Sequence, residues 1–191
     1  VARAATHLNC KDWLRLKLTG VRNTDYTEAS RSFLDVRDGS GFSASLAAEV
    51  GLSEMIRLLP EIRPADGEAS PLSAQGAAAT GLPEGTPVGV GMIDVAVTGM
   101  GLGIVEDGAS WLILGTTGFV GTLLPAVADR RSELSMVLAT GHGTQVLEFM
   151  APMTGTPNLD WIRRTLTFDD VGWDDIEATA RQVPPGSGGV I

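Results

Sequence analysis

Two short apolar runs constrain this chain more than any other feature. Val88-Gly89-Val90-Gly91-Met92-Ile93 ends at Asp94, and Trp111-Leu112-Ile113-Leu114 ends at Gly115-Thr116-Thr117-Gly118. Each run is too short for a long helix and is bounded by turn residues, so each reads as a strand buried on both faces of a layered sheet. Phe119 to Leu124 is then the return strand of a hairpin, and Thr144 to Met150 a third strand. Helical patterns alternate with these strands. Residues 8–19 set Leu8, Trp13, Leu14, Leu16 and Leu18 among charges and stop at Gly20. Short helices are expected at 43–50 and 53–59, and Ser73 starts an alanine-rich helix with Gly81 beyond it. The small residues of 95–103 fit a helix packed closely on the sheet, and Asn158 to Leu166 and Trp173 to Gln182 read as two more. Residues 21–42 are polar and turn-rich around a short strand or docking loop at Ser32 to Val36. Interleaved strands and helices make an α/β architecture.

Composition narrows the function. With 191 residues, 43% of them hydrophobic, the chain holds one compact domain or two pieces of larger ones. No apolar run approaches the roughly eighteen residues of a membrane-spanning helix. A net charge of −9, with Lys11 and Lys17 the only lysines, argues against a nucleic-acid surface. Residues 1–22 hold five basic groups against the single acid Asp12, and read as a solvated basic helix face. Cys10 has no disulfide partner and reads as buried packing; with only His7 and His142 beside it, no metal spacing exists. A reducing, cytoplasmic setting fits, and no targeting segment is visible. The chain opens at Val1 and stops at Ile191, where Pro184-Pro185-Gly186-Ser187-Gly188-Gly189 turns toward what reads as another strand. A piece of a longer protein is therefore expected.

Three motifs are candidates for chemistry. Asp94 falls where a strand gives way to a helix, the edge at which α/β proteins place ligands; an ordinary helix cap is the alternative. Gly115-Thr116-Thr117-Gly118 offers two hydroxyls and several N–H groups to a phosphate, yet lacks the Lys and the spacing of a Walker loop; a plain hairpin turn is the alternative. Thr154-Gly155-Thr156-Pro157 feeds a helix N-terminus that suits an anion or a nucleotide, and a simple helix cap explains it nearly as well. His142 lies between glycines, which favours a loop residue over an acid or base.

In their order and spacing these residues resemble a family. Cys10-Lys11-Asp12-Trp13-Leu14-Arg15-Leu16-Lys17-Leu18-Thr19-Gly20, then Thr24-Asp25-Tyr26-Thr27-Glu28-Ala29-Ser30, then Asp94, then Leu114-Gly115-Thr116-Thr117-Gly118, look like the FGGY carbohydrate kinases, over nearly the whole chain. The resemblance implies a ribonuclease H-like, actin-type ATPase fold, here partial. Residues 1–104 would end the sugar-binding domain and 105–191 begin the nucleotide-binding one. It implies phosphorylation of a sugar or polyol by ATP with Mg²⁺ held mainly through the nucleotide, and relatives that commonly form homodimers. Asp94 would be the base that takes the acceptor proton and would touch the substrate. Gly115, Thr116 and Thr117 would meet the nucleotide phosphates, and Gly155 would lie against the nucleotide. Met92 and Ile93 before Asp94, and Val95 after it, depart from the glycine-rich pattern of many relatives and point toward L-xylulose-like and erythritol-like kinases, of pentulose or tetritol class. The family's first phosphate loop and its adenosine-binding segment are absent, so the isolated chain is expected to be inactive. The competing readings are a noncatalytic piece that binds sugar weakly or associates with itself, and an acidic hydrolase using Asp94 with His142.

Overall fold

The computed structural model describes residues 4–167 and 170–189, so the strand expected at the extreme C-terminus lies outside the described residues. In chain order the elements are α1 (Cys10–Thr19), β1 (Asn23–Asp25), α2 (Tyr26–Ala29), α3 (Ala44–Glu49), a 3-10 turn (Ser53–Leu58), β2 (Glu61–Arg63), β3 (Ser70–Pro71), α4 (Ala74–Thr80), β4 (Pro87–Val88), α5 (Asp94–Gly101), β5 (Ser110–Leu114), β6 (Gly118–Leu124), β7 (Met136–Ala139), β8 (Val146–Met150), α6 (Pro157–Thr167) and α7 (Trp173–Ala180). They fall into two compact units. One comprises Val1–Trp111 with Val120–Met150, the other Leu112–Phe119 with Ala151–Ile191.

Helix ends follow local chemistry. Gly20 and Gly81 adopt the left-handed conformation that closes α1 and α4. The Ser73 hydroxyl accepts from Gly76 N and caps α4. Gly76 also lets α4 lie directly on α1, because a Cβ there would stand 2.4 Å from the Leu18 carbonyl oxygen.

The strands depart from expectation in three places. Residues 89–93 do not continue β4, which is only the two residues paired with β3. Beyond Val88 the backbone carbonyls are taken by side chains, Gly89 by Arg15 and Val90 by Lys11, and Gly91 turns left-handed at φ 69°, so no ladder forms. β5 is likewise not buried on both faces. It lies at the edge of the antiparallel sheet β5-β6-β8-β7, with Trp111 buried while Leu112 and Leu114 are exposed. The stretch Ser32 to Val36 forms only an isolated bridge, Leu34 to Phe42. Four strands were not foreseen: the parallel pair β1 and β2, in register Thr24 to Ile62, β3, which pairs with β4, and β7, which pairs with β8.

Packing ties these pieces together in the first unit. Ala29, Leu34 and Ala139 form a core with Tyr26, Val36, Phe42 and Ile62 against it, and Ala139 N donates to the Ser30 hydroxyl at 2.9 Å. On β8, one oxygen of the buried Glu148 accepts from Ser135 Oγ (2.6 Å), Arg131 N (2.9 Å) and Ser132 N (3.1 Å). Burial alone would raise that carboxyl, but these hydrogen bonds and the Arg130 charge hold it below its ordinary 4.5.

Two outcomes follow from this packing. Gly99 of α5 sits against the Trp111 ring, where a Cβ would approach to 2.8 Å. Gly99→Ala is therefore expected to destabilise by about 1–3 kcal/mol in urea unfolding. The Glu148 carboxylate contributes stability above the unfolded carboxyl value of 4.5, and this is lost as pH falls through its lower folded value. Glu148→Gln should flatten the fall in stability on acidification, read as unfolding midpoint against pH; an unchanged slope would contradict the assignment.

Candidate functional site

The sequence placed the basic side chains of the first helix in water. The structure turns Lys11 and Arg15 inward and leaves Lys17 exposed over the Trp13 ring. Asp12 and Arg15 are buried while Trp13 and Leu14, which lie between them in the sequence, are 53% and 54% exposed. The cause is the polar strand beneath them, since Asn23, Thr24 and Asp25 of β1 are all buried. Lys11 Nζ lies 2.6 Å from Asp12 Oδ1 and 3.1 Å from Asp25 Oδ1. Asp12 Oδ2 accepts from Thr24 Oγ1 at 2.6 Å, and Arg15 donates to Asn23 Oδ1 and, at 2.8 Å, to Ser70 Oγ. Two cations thus balance two buried carboxylates. Burial, reinforced by the Arg63 charge, lowers the Arg15 pKa; Asp12 opposes the shift, and a guanidinium remains charged in any case. Glu28, packed at the margin of this cluster, is raised by burial, with Arg31 opposing. The signal for the cluster was in the sequence: Lys11, Asp12 and Arg15 recur at one- and four-residue spacing on one helical face, ahead of Thr24-Asp25.

This cluster grips the chain that leads to Asp94. Lys11 Nζ donates to Val90 O at 3.3 Å, Arg15 Nε to Gly89 O at 2.9 Å, and the Thr27 hydroxyl accepts from Ile93 N at 2.9 Å. Asp94 follows as the first residue of α5, exposed. Its Oδ1 accepts from Val95 N at 2.7 Å, and Oδ2 has no partner among the described residues. It does not cap α5 as an N-cap would, because that position is Ile93.

The second unit assembles the glycine-threonine motifs. Gly155 N donates to Thr116 O (2.7 Å), and Thr156 donates to Gly115 O from both its N–H (2.8 Å) and its hydroxyl (3.0 Å). A Cβ on Gly155 would stand 2.3 Å from Gly115 O, so only glycine fits. The same turn starts α6, with Asn158 N bonding Gly155 O. Gly115, Thr116, Thr117 and Gly155 are therefore one substructure. Thr116 and Thr117 are exposed, and their hydroxyls have no partner among the described residues. Unengaged hydroxyls beside a helix N-terminus match the donor set an anionic phosphate requires.

Other candidates fall away. Cys10 is exposed at the start of α1, not buried, since the helix turns its charged face inward. His142 is exposed, with no hydrogen bond or ion pair to Asp94 among the described residues. It borders a cavity of about 350 Å³ whose walls include Met92, Ala96, Met100, Trp111 and Leu147.

The chain belongs to a family of known proteins. Residues 1–101 match the FGGY family of carbohydrate kinases, N-terminal domain. The chain is 41% identical over 166 residues to the erythritol kinase of Brucella abortus (strain 2308), covering 84% of this chain and 31% of that protein. It is 25% identical over 177 residues to the L-xylulose/3-keto-L-gulonate kinase of Escherichia coli (strain K12), covering 93% and 35%. The ligand-bound xylulose kinase of Lactobacillus acidophilus superposes with a TM-score of 0.83 at 21% identity, over 100% of this chain and 38% of that one. The fold is the ribonuclease H-like, actin-type ATPase fold of the sugar kinases. The chain spans about a third of the length of the curated relatives it matches. No helix among the described residues is long and apolar enough to cross a membrane.

The contact of Gly155 with the hairpin can be tested directly. Gly155→Ala must push Gly115 away, and is expected to speed hydrogen exchange at the amides of residue 155 and Thr156 by about tenfold or more, as their bonds to Thr116 O and Gly115 O lengthen.

Proposed function

From the membership of this chain in the FGGY family of carbohydrate kinases, we propose that the complete protein transfers the γ-phosphoryl group of ATP to a hydroxyl of a sugar or polyol. The observation that carries the reading is the family match over residues 1–101, which ends just after an exposed carboxylate with one uncommitted oxygen. In this reading residues 1–104 close the sugar-binding domain and 105–191 open the nucleotide-binding one. The substrate belongs to the pentulose or tetritol class, and the higher identity to an erythritol kinase than to the xylulose kinases favours a tetritol.

Asp94 acts as the general base. Its Oδ1 is held by Val95 N, and Oδ2 takes the acceptor proton as the hydroxyl oxygen bonds to the γ-phosphorus and the bond to the bridging oxygen of ADP breaks. The carboxylate is exposed in this chain, so the rest of the enzyme must cover it and exclude water around the acceptor. Thr116 and Thr117 orient the phosphates through their hydroxyls and neighbouring N–H groups, and Gly155 keeps the hairpin close to α6. Mg²⁺, held through the nucleotide, supplies neutralisation of phosphate charge. Positioning and charge neutralisation suffice because the transition state is loose. Lacking the first phosphate loop and the adenosine segment, the isolated chain turns nothing over.

One observation favours a second reading, a noncatalytic piece that associates with itself: β5 is a sheet edge with Leu112 and Leu114 exposed. Concentration-dependent sedimentation of the isolated chain would support it.

In the complete enzyme, Asp94→Asn is expected to cut kcat by about a hundredfold or more while leaving ATP affinity nearly intact. Coupled ADP release, screened over tetritols, pentuloses, glycerol and hexitols, checks both the assignment and the acceptor. Unchanged turnover would refute the base.

A further inference from the structure

Three side chains in and beside the buried charge cluster, Lys11, Arg15 and Thr27, end on the five residues before Asp94. We infer that Thr27 is a positioning residue for Asp94, set in its own orientation by Asp25 and Lys11. The inference rests on the reading of Asp94 as the base.

A threonine hydroxyl has one proton and two lone pairs. Asp25 Oδ2 accepts that proton and also the Thr27 backbone N–H at 2.8 Å, while Asp25 Oδ1 faces Lys11 Nζ at 3.1 Å. With the proton committed to Asp25, the lone pairs of Thr27 Oγ1 are left for the Ile93 N–H, 2.9 Å away. Both Asp25 and Thr27 are 0% exposed, so no water competes for these positions. Ile93 is the N-cap of α5, and its side chain makes no capping hydrogen bond. The phase at which α5 begins, and hence the direction of the Asp94 carboxylate, is set from outside the helix by this bond. Lys11 and Arg15 hold two carbonyls further back, Val90 and Gly89. The segment has little ladder of its own beyond Val88, so these side chains take the place of strand pairing. A general base misplaced by a fraction of an ångström to an ångström loses much of its rate, with ground-state binding less affected.

The test is a double-mutant cycle in the complete kinase, with ADP release as the readout. Thr27→Val keeps the volume and removes the hydroxyl. It is expected to lower kcat about 10- to 100-fold with KM for ATP within about twofold, and Thr27→Ser is expected to restore most of the rate. Because Thr27 acts through the base, Thr27→Val added to Asp94→Asn should cost less than about threefold more than Asp94→Asn alone. A merely structural role gives the full loss again on top of Asp94→Asn, and that result, or an unaltered kcat in Thr27→Val, overturns the inference. If Thr27→Val does not fold, Thr27→Ala, whose smaller side chain lets a water take the place of the hydroxyl, is carried through the same cycle with the same two outcomes. Failure of the underlying reading looks different: Asp94→Asn alone then leaves kcat unchanged.

Discussion

The ammonium of Lys11, lodged between the carboxylates of Asp12 and Asp25, is the interaction on which the first unit depends. It neutralises two acids that would otherwise repel each other beneath α1, and it lets β1, a strand of three polar residues, be fully buried. Removing one partner from such an arrangement leaves an uncompensated buried charge, at a cost of about 3–5 kcal/mol. The balance explains why α1 faces the interior with charges and the solvent with Trp13 and Leu14. It also explains why Gly89 and Val90 stop pairing as a strand: their carbonyls belong to Arg15 and Lys11. One electrostatic arrangement therefore fixes a helix orientation, ends a strand and delivers the chain to α5.

Glycine does a comparable job by steric means. Gly76 lets α4 meet the end of α1, Gly99 lets α5 meet Trp111, and Gly155 lets the turn before α6 meet the hairpin. In each case a methyl group would overlap a backbone atom or a ring. Gly99 within 95–103, and Gly155 against the hairpin, are thus explained by close approach within each unit, and the phosphate-binding role proposed for the hairpin depends on the second of these being kept.

What could be read in the sequence was the chemistry that acts locally. Gly20 and Gly81 as helix ends, Ser73 as a cap, and the starts of α6 and α7 depend on a few neighbouring residues, and all were legible. What could not be read depended on distant partners. Asn23-Thr24-Asp25 has no apolar alternation, yet it is a buried strand because α1 supplies its counter-charges. Val88 to Ile93 has the composition of a buried strand, yet side chains from about 75 residues earlier take its carbonyls. Met136 to Ala139 becomes a strand only through β8. At the site, Asp94 was legible as an acid opening a helix and Thr116 as part of a turn. The pairing of that turn with Gly155 spans some forty residues, and the grip of Thr27 on Ile93 spans more, so no local pattern displayed either contact.

The central claim is that the chain entering α5 presents Asp94 Oδ2 to an acceptor hydroxyl. A crystal structure of the complete kinase with a bound tetritol or pentulose and a non-hydrolysable ATP analogue measures this directly. The account predicts Asp94 Oδ2 within about 2.6–3.2 Å of one hydroxyl oxygen, with Oδ1 still on Val95 N. An acceptor bound with every hydroxyl beyond hydrogen-bond reach of that carboxylate, and another residue at the reacting oxygen, would contradict it.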